Sequence, residues 1–534
     1  MSAAAFIVLL GGLALAILPL VPPAPVADPT PTEFSADRAV DHVSTLAREP
    51  RPTGSPENER GRDYIISRLA ELDLVPDLQS LVVPDYYRTE AGDVTVTNVM
   101  ARIPGDDSTG AVALVAHYDT VPATPGANDD AAGVATVLET ARALLAEPPL
   151  RNDVILLFTD GEEPAPRYGS TAFVTGHPWA NDVRFVLNLE ALGSSGISIL
   201  VETSGPSGWA AGRYAAAASH PTAYSYLTET MDLIGGAGTD FDPFKEAGVP
   251  GVSFAYVNGS PIYHTAADTT DTVSLRSLQH HGLNTLQTVR EVGNLDLAQP
   301  PAGGDSVYFT VARFGVAGYP GSWAIPIAVF TGLGLAAAVI RRARTRRVEV
   351  RSVLGGAAVV FTITIVVALA ATLAWQVIVW LWPDPGVGAA YLILMFLLIV
   401  LAGSVIALLQ RLSTRLPTID SAGGIVFVWF ALALATATWL PGWSYLFAWP
   451  ALGGTTVLLI QPRRTWLVAA TLATLSWVTL VLVVPPVNVF FQMAQPRPGN
   501  LDSQITSVVV IAMVLSVLTT LLLASVGRSE LERR

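Results

Sequence analysis

The sequence predicts an α/β ectodomain with a mostly parallel central sheet covered by helices, followed by an all-α bundle of membrane spans. Three observations carry that reading. Between positions 34 and 300, short apolar runs rich in β-branched residues alternate with helical runs. Charge divides the 534-residue chain: 38 acidic residues stand against 16 basic ones before position 306, and 6 against 15 after it. The overall net charge of −13 therefore combines one half at −22 with another at +9. After position 306 come long apolar segments, in a chain that is 51% hydrophobic and only 14% charged.

Residues 3–21 form an uncharged run long enough to span a bilayer, with no Lys or Arg before it and a Pro-rich stretch after it. Residues 1–24 are thus expected to be an uncleaved anchor. Residues 25–305 are expected to be the α/β domain. Amphipathic helices are predicted at 34–48 and 56–72. Strands are predicted at VTVTNVMARI (94–103), AVALVAH (111–117), DVILLFT (153–159), DVRFVLNLE (182–190) and GVSFAYV (251–257), and a helix at 133–147. A linker is expected at 306–322 and a bundle of about seven helices at 323–534, with spans near 323–340, 354–381, 387–409, 423–440, 444–460, 466–485 and 505–525. With the N-terminus inside, the connections predicted inside hold thirteen Arg and those predicted outside hold only Arg497. Both termini are therefore expected in the cytoplasm and residues 25–320 outside it. The Arg-over-Lys bias (Lys245 is the single lysine) and the short loops favour a bacterial plasma membrane, or an organelle membrane in a eukaryote.

Nucleic acid is excluded as a partner, because the acidic half would repel phosphate. With no cysteine, the chain makes no disulfide, thiolate metal site or thiol nucleophile. What remains for chemistry is histidine and carboxylate, and these collect at strand ends. AVALVAH ends in His117, with Asp119 two residues on. DVILLFT leads into Asp160, Gly161, Glu162 and Glu163. DVRFVLNLE ends in Glu190, and GVSFAYV leads to Tyr263 and His264. Asp129 and Asp130 stand just before a helix. In an open α/β sheet these carboxyl ends share one edge. Nitrogen and oxygen donors without thiolate suit Zn²⁺, or less well Mn²⁺ or Co²⁺, and two His with three carboxylates fit two ions sharing a bridging carboxylate.

The ordered set HYD (117–119), ANDDAAG (127–133), DGEE (160–163), NLEALG (188–193), TDF (239–241) and YHTAADT (263–269), preceded by PRPTGSPENERGRDYI (50–65), resembles the M28 family of zinc metallopeptidases. It most resembles the membrane-embedded vacuolar and endoplasmic reticulum branch. The motifs cover about residues 35–300; beyond them only the architecture is similar. The resemblance implies a zinc-peptidase fold and two Zn²⁺ per chain. It also implies an aminopeptidase-like exopeptidase that hydrolyses peptide substrates outside the cytoplasm while anchored in the lipid bilayer. It further implies that His117 and Glu190 hold one ion, Glu163 and His264 the other, and that Asp129 bridges them. Glu162 would be the general base, Asp119 would hydrogen-bond the non-metallated nitrogen of His117 and fix its tautomer, Tyr263 would steady the oxyanion, and the Asp129–Asp130 peptide would be cis. Glu190 departs from the soluble members, which carry Asp there.

Two alternatives stand beside this: an inactive receptor or scaffold ectodomain, and glutaminyl-cyclase-type acyl transfer on the same site. Asp130 reads as a helix cap, Asp160 as either a neighbour of the site or a turn former, and Asp240 as either a cap or a site wall. His280 and His281 read as a surface or packing pair. Oligomeric state and side-chain preference are left open.

Overall fold

The computed structural model describes residues 11–12, 14–86, 92–163, 167–299, 301–344, 349–362, 365, 421–460, 477–486, 488–489 and 492–493. They fall into two units, Leu20–Gly318 and Met1–Pro19 with Tyr319–Arg534. The first unit runs α1 (Ala36–Leu46), α2 (Pro56–Glu71), β1 (Asp77–Val83), β2 (Val94–Ile103), β3 (Ala111–His117), α3 (Ala131–Leu145), β4 (Asp153–Thr159), α4 (Tyr168–Gly176), β5 (Val183–Ala191) and β6 (Ser195–Ser204). It continues with α5 (Ser207–Ala217), α6 (Ser225–Ile234), α7 (Phe241–Glu246), β7 (Gly251–Asn258), α8 (Leu275–Gly293), β8 (Ser306–Thr310) and β9 (Val316–Pro320).

Strands β1 to β7 form one sheet in the order β1-β2-β4-β3-β5-β7-β6. β4, β3, β5 and β7 pair in parallel, whereas β1, β2 and β6 join antiparallel at the two edges. The sheet is therefore mixed, with a parallel centre, rather than parallel throughout. The edge strands β1 and β6 escape the sequence reading. β1 (DLQSLVV) alternates polar and apolar and stays half exposed, so it lacks the unbroken apolar run of a central strand. The central strands are buried at every position of β3 and β4.

Period-two alternation sorts the β3 side chains to two faces. Val112, Leu114 and Ala116 pack with Val43 of α1, Val134 and Leu138 of α3, and Leu278 and Val289 of α8. Ala111, Ala113 and Val115 pack on the other side with Phe173 of α4 and Phe241 and Phe244 of α7. Helices thus cover both faces. α1, α2, α3 and α8 all begin at side-chain caps: Ser35, Ser55, Asp130 and Ser274. Gly282 is needed because a Cβ there would run into the ring of Phe34, which α8 covers. Residues 306–320, expected as linker, form the hairpin β8–β9, and Tyr308 joins the main core.

In the second unit, α9 (Ala324–Arg344), α10 (Ser421–Trp439) and α11 (Ser444–Ile460) pack together through Leu335, Ala338, Val426 and Leu458. Among the described residues, two helices are long and apolar enough to cross a membrane, Gly321–Arg344 and Pro441–Ile460. Pro450 lies inside the second without ending it. The expected spans 387–409 and 505–525, most of 354–381 and of 466–485, and residues 3–10 of the anchor lie outside the described residues.

His280 and His281 are buried rather than on the surface. His280 accepts from the Ser198 N–H at 3.1 Å through Nδ1 and donates to the His220 carbonyl at 2.9 Å through Nε2. Both sites of one neutral tautomer are thereby used. Burial depresses the two pKa values, to about 4 for His280 and about 3 for His281. The unfolded chain takes up these protons first, near pH 6.5, so their contribution to stability should be flat above that pH and fall below it. The limiting slope is about 1.4 kcal/mol per pH unit for each histidine. Buried carboxylates with raised pKa values, Glu190 among them, act in the opposite sense over this range, so the histidines are read by difference. Between pH 6.5 and 4.5 the unfolding midpoint of the full chain in detergent should fall relative to that of His281→Phe. His281→Phe should shed its share of that slope; an unchanged slope in the variant would contradict the assignment.

Candidate metal centre

Strand order places the site. β3 is flanked by β4 on one side and β5 on the other, and chain direction makes the carboxyl ends of all four parallel strands open on one crevice. His117 is the last residue of β3, Glu190 lies near the end of β5, Asp160 follows β4, and His264 lies six residues beyond the end of β7. After Asp160 the chain turns at Gly161, whose φ of +71° is in the left-handed region. That turn aims Glu162 and Glu163 back at His117.

All five candidate ligands come together. Ligand atoms of His117, Asp129 and Glu190 lie within 4.8 Å of one another, as do those of Asp129, Glu163 and His264, and those of His117, Glu162 and Glu163. Asp129 belongs to both halves: its Oδ1 is 3.3 Å from His117 Nε2, and its Oδ2 is 3.2 Å from His264 Nε2. Glu163 Oε1 is 2.5 Å from His264 Nε2, and Glu190 Oε2 is 3.9 Å from His117 Nε2. The Asp129–Asp130 peptide is cis. Asp130 caps α3 through the Gly133 N–H, as expected of it.

His117 supplies the test of whether a cation fits. Its Nδ1 lies 3.2 Å from the Asp119 main-chain carbonyl, an acceptor, so the ring proton belongs there. Nε2 is fully buried, without a hydrogen-bond partner and facing carboxylate oxygens. Burial opposes it, but the surrounding carboxylates hold the ring well above its usual pKa, and a cation would take the place of that second proton. Ligand atoms converging in this way, all nitrogen and oxygen, describe a socket for a divalent cation. Charge points the same way. Burial pushes Glu162 well above the usual carboxylate range, with Glu190, Glu163 and Asp240 adding repulsion. Burial likewise lifts Glu190 to about 8, with Asp129 and Asp240 adding to it. Asp129 alone is held low, at about 2; burial opposes this, and the imidazoles of His117 and His264 outweigh it. A cation would relieve this mutual repulsion.

Asp119 meets the His117 ring nitrogen that faces away from the site, through its main-chain carbonyl. Its carboxylate lies 3.6 Å from His117 Nδ1 but accepts the Glu163 N–H at 2.9 Å and the Glu162 N–H at 3.3 Å. It therefore orients His117 through its carbonyl and the DGEE turn through its side chain, because the Gly161 turn points those two amides at it. The Tyr263 ring stacks on His264 with centroids 3.7 Å apart. Burial and the surrounding Asp129, Glu163, Glu162 and Glu190 push its phenol well above the usual value.

Asp160 is a tie rather than a turn former: it accepts from the Thr97 N–H at 2.9 Å, Asn58 Nδ2 at 3.0 Å and Thr53 Oγ1 at 3.0 Å. Asp240 does not cap α7. Its Oδ2 takes the Thr159 hydroxyl, and its buried Oδ1 has no partner. Sequence reasoning missed Arg51, Thr53 and Asp268, each buried or half-buried around these loops. All three lie inside the quoted motifs, but none has a ligand's spacing.

Residues 98–289 match peptidase family M28. The chain is 31% identical over 309 residues to endoplasmic reticulum metallopeptidase 1 of Mus musculus, covering 54% of this chain and 34% of that protein. It is 33% identical over 270 residues to the vacuolar membrane protease of Candida dubliniensis, covering 47% of this chain and 27% of that protein. The chain thus spans about a third of the length of the curated relatives it matches. A zinc aminopeptidase from Bacillus subtilis superimposes with a TM-score of 0.41 at 17% identity, over 49% of this chain and 96% of that one. The strands and loops that bear the candidate ligands all lie inside residues 98–289, which match peptidase family M28, and over about half its length the chain is similar to endoplasmic reticulum metallopeptidase 1 and to the vacuolar membrane protease.

Proposed function

We propose that this chain is a membrane-anchored, zinc-dependent metallopeptidase that hydrolyses peptides on the non-cytoplasmic side, acting as an aminopeptidase-like exopeptidase. The observation that carries the reading is the position of Asp129, with one carboxylate oxygen toward His117 and the other toward His264. His117 and Glu190 would hold one Zn²⁺, Glu163 and His264 the second, with Asp129 shared. When bound, such a pair polarises the scissile carbonyl and makes a water acidic enough to attack at neutral pH.

The chain's own residues do the rest. Glu162, buried among carboxylates, holds a proton readily; it takes one from the attacking water and gives it to the leaving amine. Asp119 keeps Glu162 and Glu163 in place by their amides. The Tyr263 phenol stands beside His264 to donate to the developing oxyanion. Residues 1–24 would serve as an anchor and residues from 323 on as the spans. The distribution of arginines supports an external catalytic unit, and the Arg-over-Lys bias favours a bacterial plasma membrane.

Two measurements test this reading. Glu162→Gln should retain metal, measured by elemental analysis, while peptide turnover by the purified full chain falls about 10²–10⁴-fold. Unchanged turnover would remove Glu162 from the mechanism. Asp129→Ala should lose metal and with it the thermal stabilisation that zinc confers. For wild type, that stabilisation amounts to about 2.7 kcal/mol per site at a hundredfold excess over Kd. If zinc raises the melting temperature of Asp129→Ala as much as that of wild type, Asp129 is not a ligand.

A further inference from the structure

The two halves of the site are built on unequal foundations. His117 and Glu190 stand on central strands of the sheet, β3 and β5. His264 stands on a loop: it has a φ of +60°, and residues 264–267 are all exposed. Asp268 is the first buried residue after that exposed stretch, 1% accessible, and its carboxylate turns inward.

What it meets there is the backbone of the bridging ligand. One carboxylate oxygen accepts from the Asn128 main-chain N–H at 2.9 Å and from Asn128 Nδ2 at 2.7 Å. The other accepts from the Asp129 main-chain N–H at 3.1 Å. The Asp268 carbonyl also accepts from the Ala127 N–H at 3.3 Å. Three consecutive amides are thus held by one residue. The two preceding carbonyls, of Pro125 and Gly126, are held from the other side by the buried guanidinium of Arg51, at 2.5 and 3.1 Å. Asn128 is fixed in turn by the Tyr256 hydroxyl, which donates to its Oδ1 at 2.9 Å.

Resting on the two-ion reading above, we propose that Asp268 is a positioning residue that couples the two metal positions: it ties the loop bearing His264 to the main chain of Asp129, so that the loop-borne position binds its ion only when the turn 125–129 is in place. The strand-borne position shares Asp129 but keeps two ligands of its own on the sheet, His117 and Glu190, and so depends on Asp268 less. Metal should therefore load in sequence, the strand-borne position first. Substituting Asp268 by Asn should damage the second step selectively, because an amide presents a donor to one of two main-chain N–H groups that each need an acceptor.

The test is titration of the metal-free full chain in detergent with Co²⁺, followed by calorimetry, visible absorption and electron paramagnetic resonance. Wild type should bind two ions, and the second should develop the exchange coupling of a carboxylate-bridged pair. In Asp268→Asn, affinity for the second ion should fall about 10–100-fold, the first should stay within about threefold, and the exchange-coupled signal should be lost at two equivalents. His264→Ala should bind one ion, and adding Asp268→Asn to it should leave that affinity unchanged. Should Asp268→Asn fail to fold, Asn128→Ala removes one bond to the same carboxylate and should weaken the second ion in the same direction.

A wild type that binds no Co²⁺ would overturn the metallopeptidase reading itself. A wild type with two ions and an Asp268→Asn variant that binds both equally well would overturn only the coupling. So would an equal loss at both positions, which marks a general structural role.

Discussion

Nine carboxylates are buried around one sheet edge: Asp119, Asp129, Asp130, Asp160, Glu162, Glu163, Glu190, Asp240 and Asp268. Taking that many acids out of water is the constraint from which the rest of this unit follows, because each must find a hydrogen-bond donor, a positive charge or a proton. The fold sorts them. Asp130 accepts the amide that opens α3, Asp119 the amides of the DGEE turn, Asp160 that of Thr97, and Asp268 those of Asn128 and Asp129. The protein's own donors reach these four, fully for three of them, while Asp130 Oδ2 stays buried without a hydrogen-bond partner. Asp129, Glu163 and Glu190 turn instead toward two imidazoles, one of which shows them a buried nitrogen without a hydrogen-bond partner. Glu162 and Asp240 lie beside them, raised by burial. The ligand set is what remains once the backbone has been served.

This division explains the shape of the loops. Amides reach buried carboxylates where they are left unpaired, in turns, in the first turn of α3 at Gly133 and on β2 at Thr97. The turn after β4 exposes two consecutive N–H groups that Asp119 accepts, and the turn before α3 exposes N–H groups that Asp268 accepts and carbonyls to which Arg51 donates. Arg51 completes the pattern with opposite sign. Its fully buried guanidinium donates to the carbonyls of Leu46, Tyr118, Pro125 and Gly126, and it supplies positive charge beneath Asp119, Asp129, Asp130 and Asp268. Burial lowers its pKa to about 10, which still leaves it charged at neutral pH.

The convergence of the candidate ligands is legible in the sequence because they follow unmistakable strands, and strand direction alone sends His117, Glu163 and Glu190 to one edge. The supporting residues are not. Thr53, Asn58 and Asp268 act on groups 66 to 140 positions away, and nothing in local spacing announces a partner that distant. Asp119 reads from the sequence as a partner of the His117 ring, but that its carboxylate also takes the Glu162 and Glu163 amides follows only from the Gly161 turn. The same limit applies to the sheet: β1 and β6 are edge strands whose pairing, not whose composition, makes them strands. His280 and His281 were misjudged in part because a helical pattern cannot tell which polar pair will meet Ser198 on β6.

The choice of proton carrier among so many acids follows from the same accounting of partners. Asp160 has both oxygens engaged, by the Thr97 amide on one side and by Asn58 and Thr53 on the other, so moving a proton onto it breaks bonds that hold two loops. Asp119 is engaged by two amides and cannot release them without moving Glu162 and Glu163. Asp240 is tied by one oxygen to Thr159 and stands at the start of a short helix rather than on the ligand turn. Glu162 differs from all three. Among the described residues no hydrogen bond holds its carboxylate, and its ligand-type atom lies within 4.8 Å of those of His117 and Glu163. A side chain fixed by its backbone and free at its tip is what a shuttle between an attacking water and a leaving amine requires.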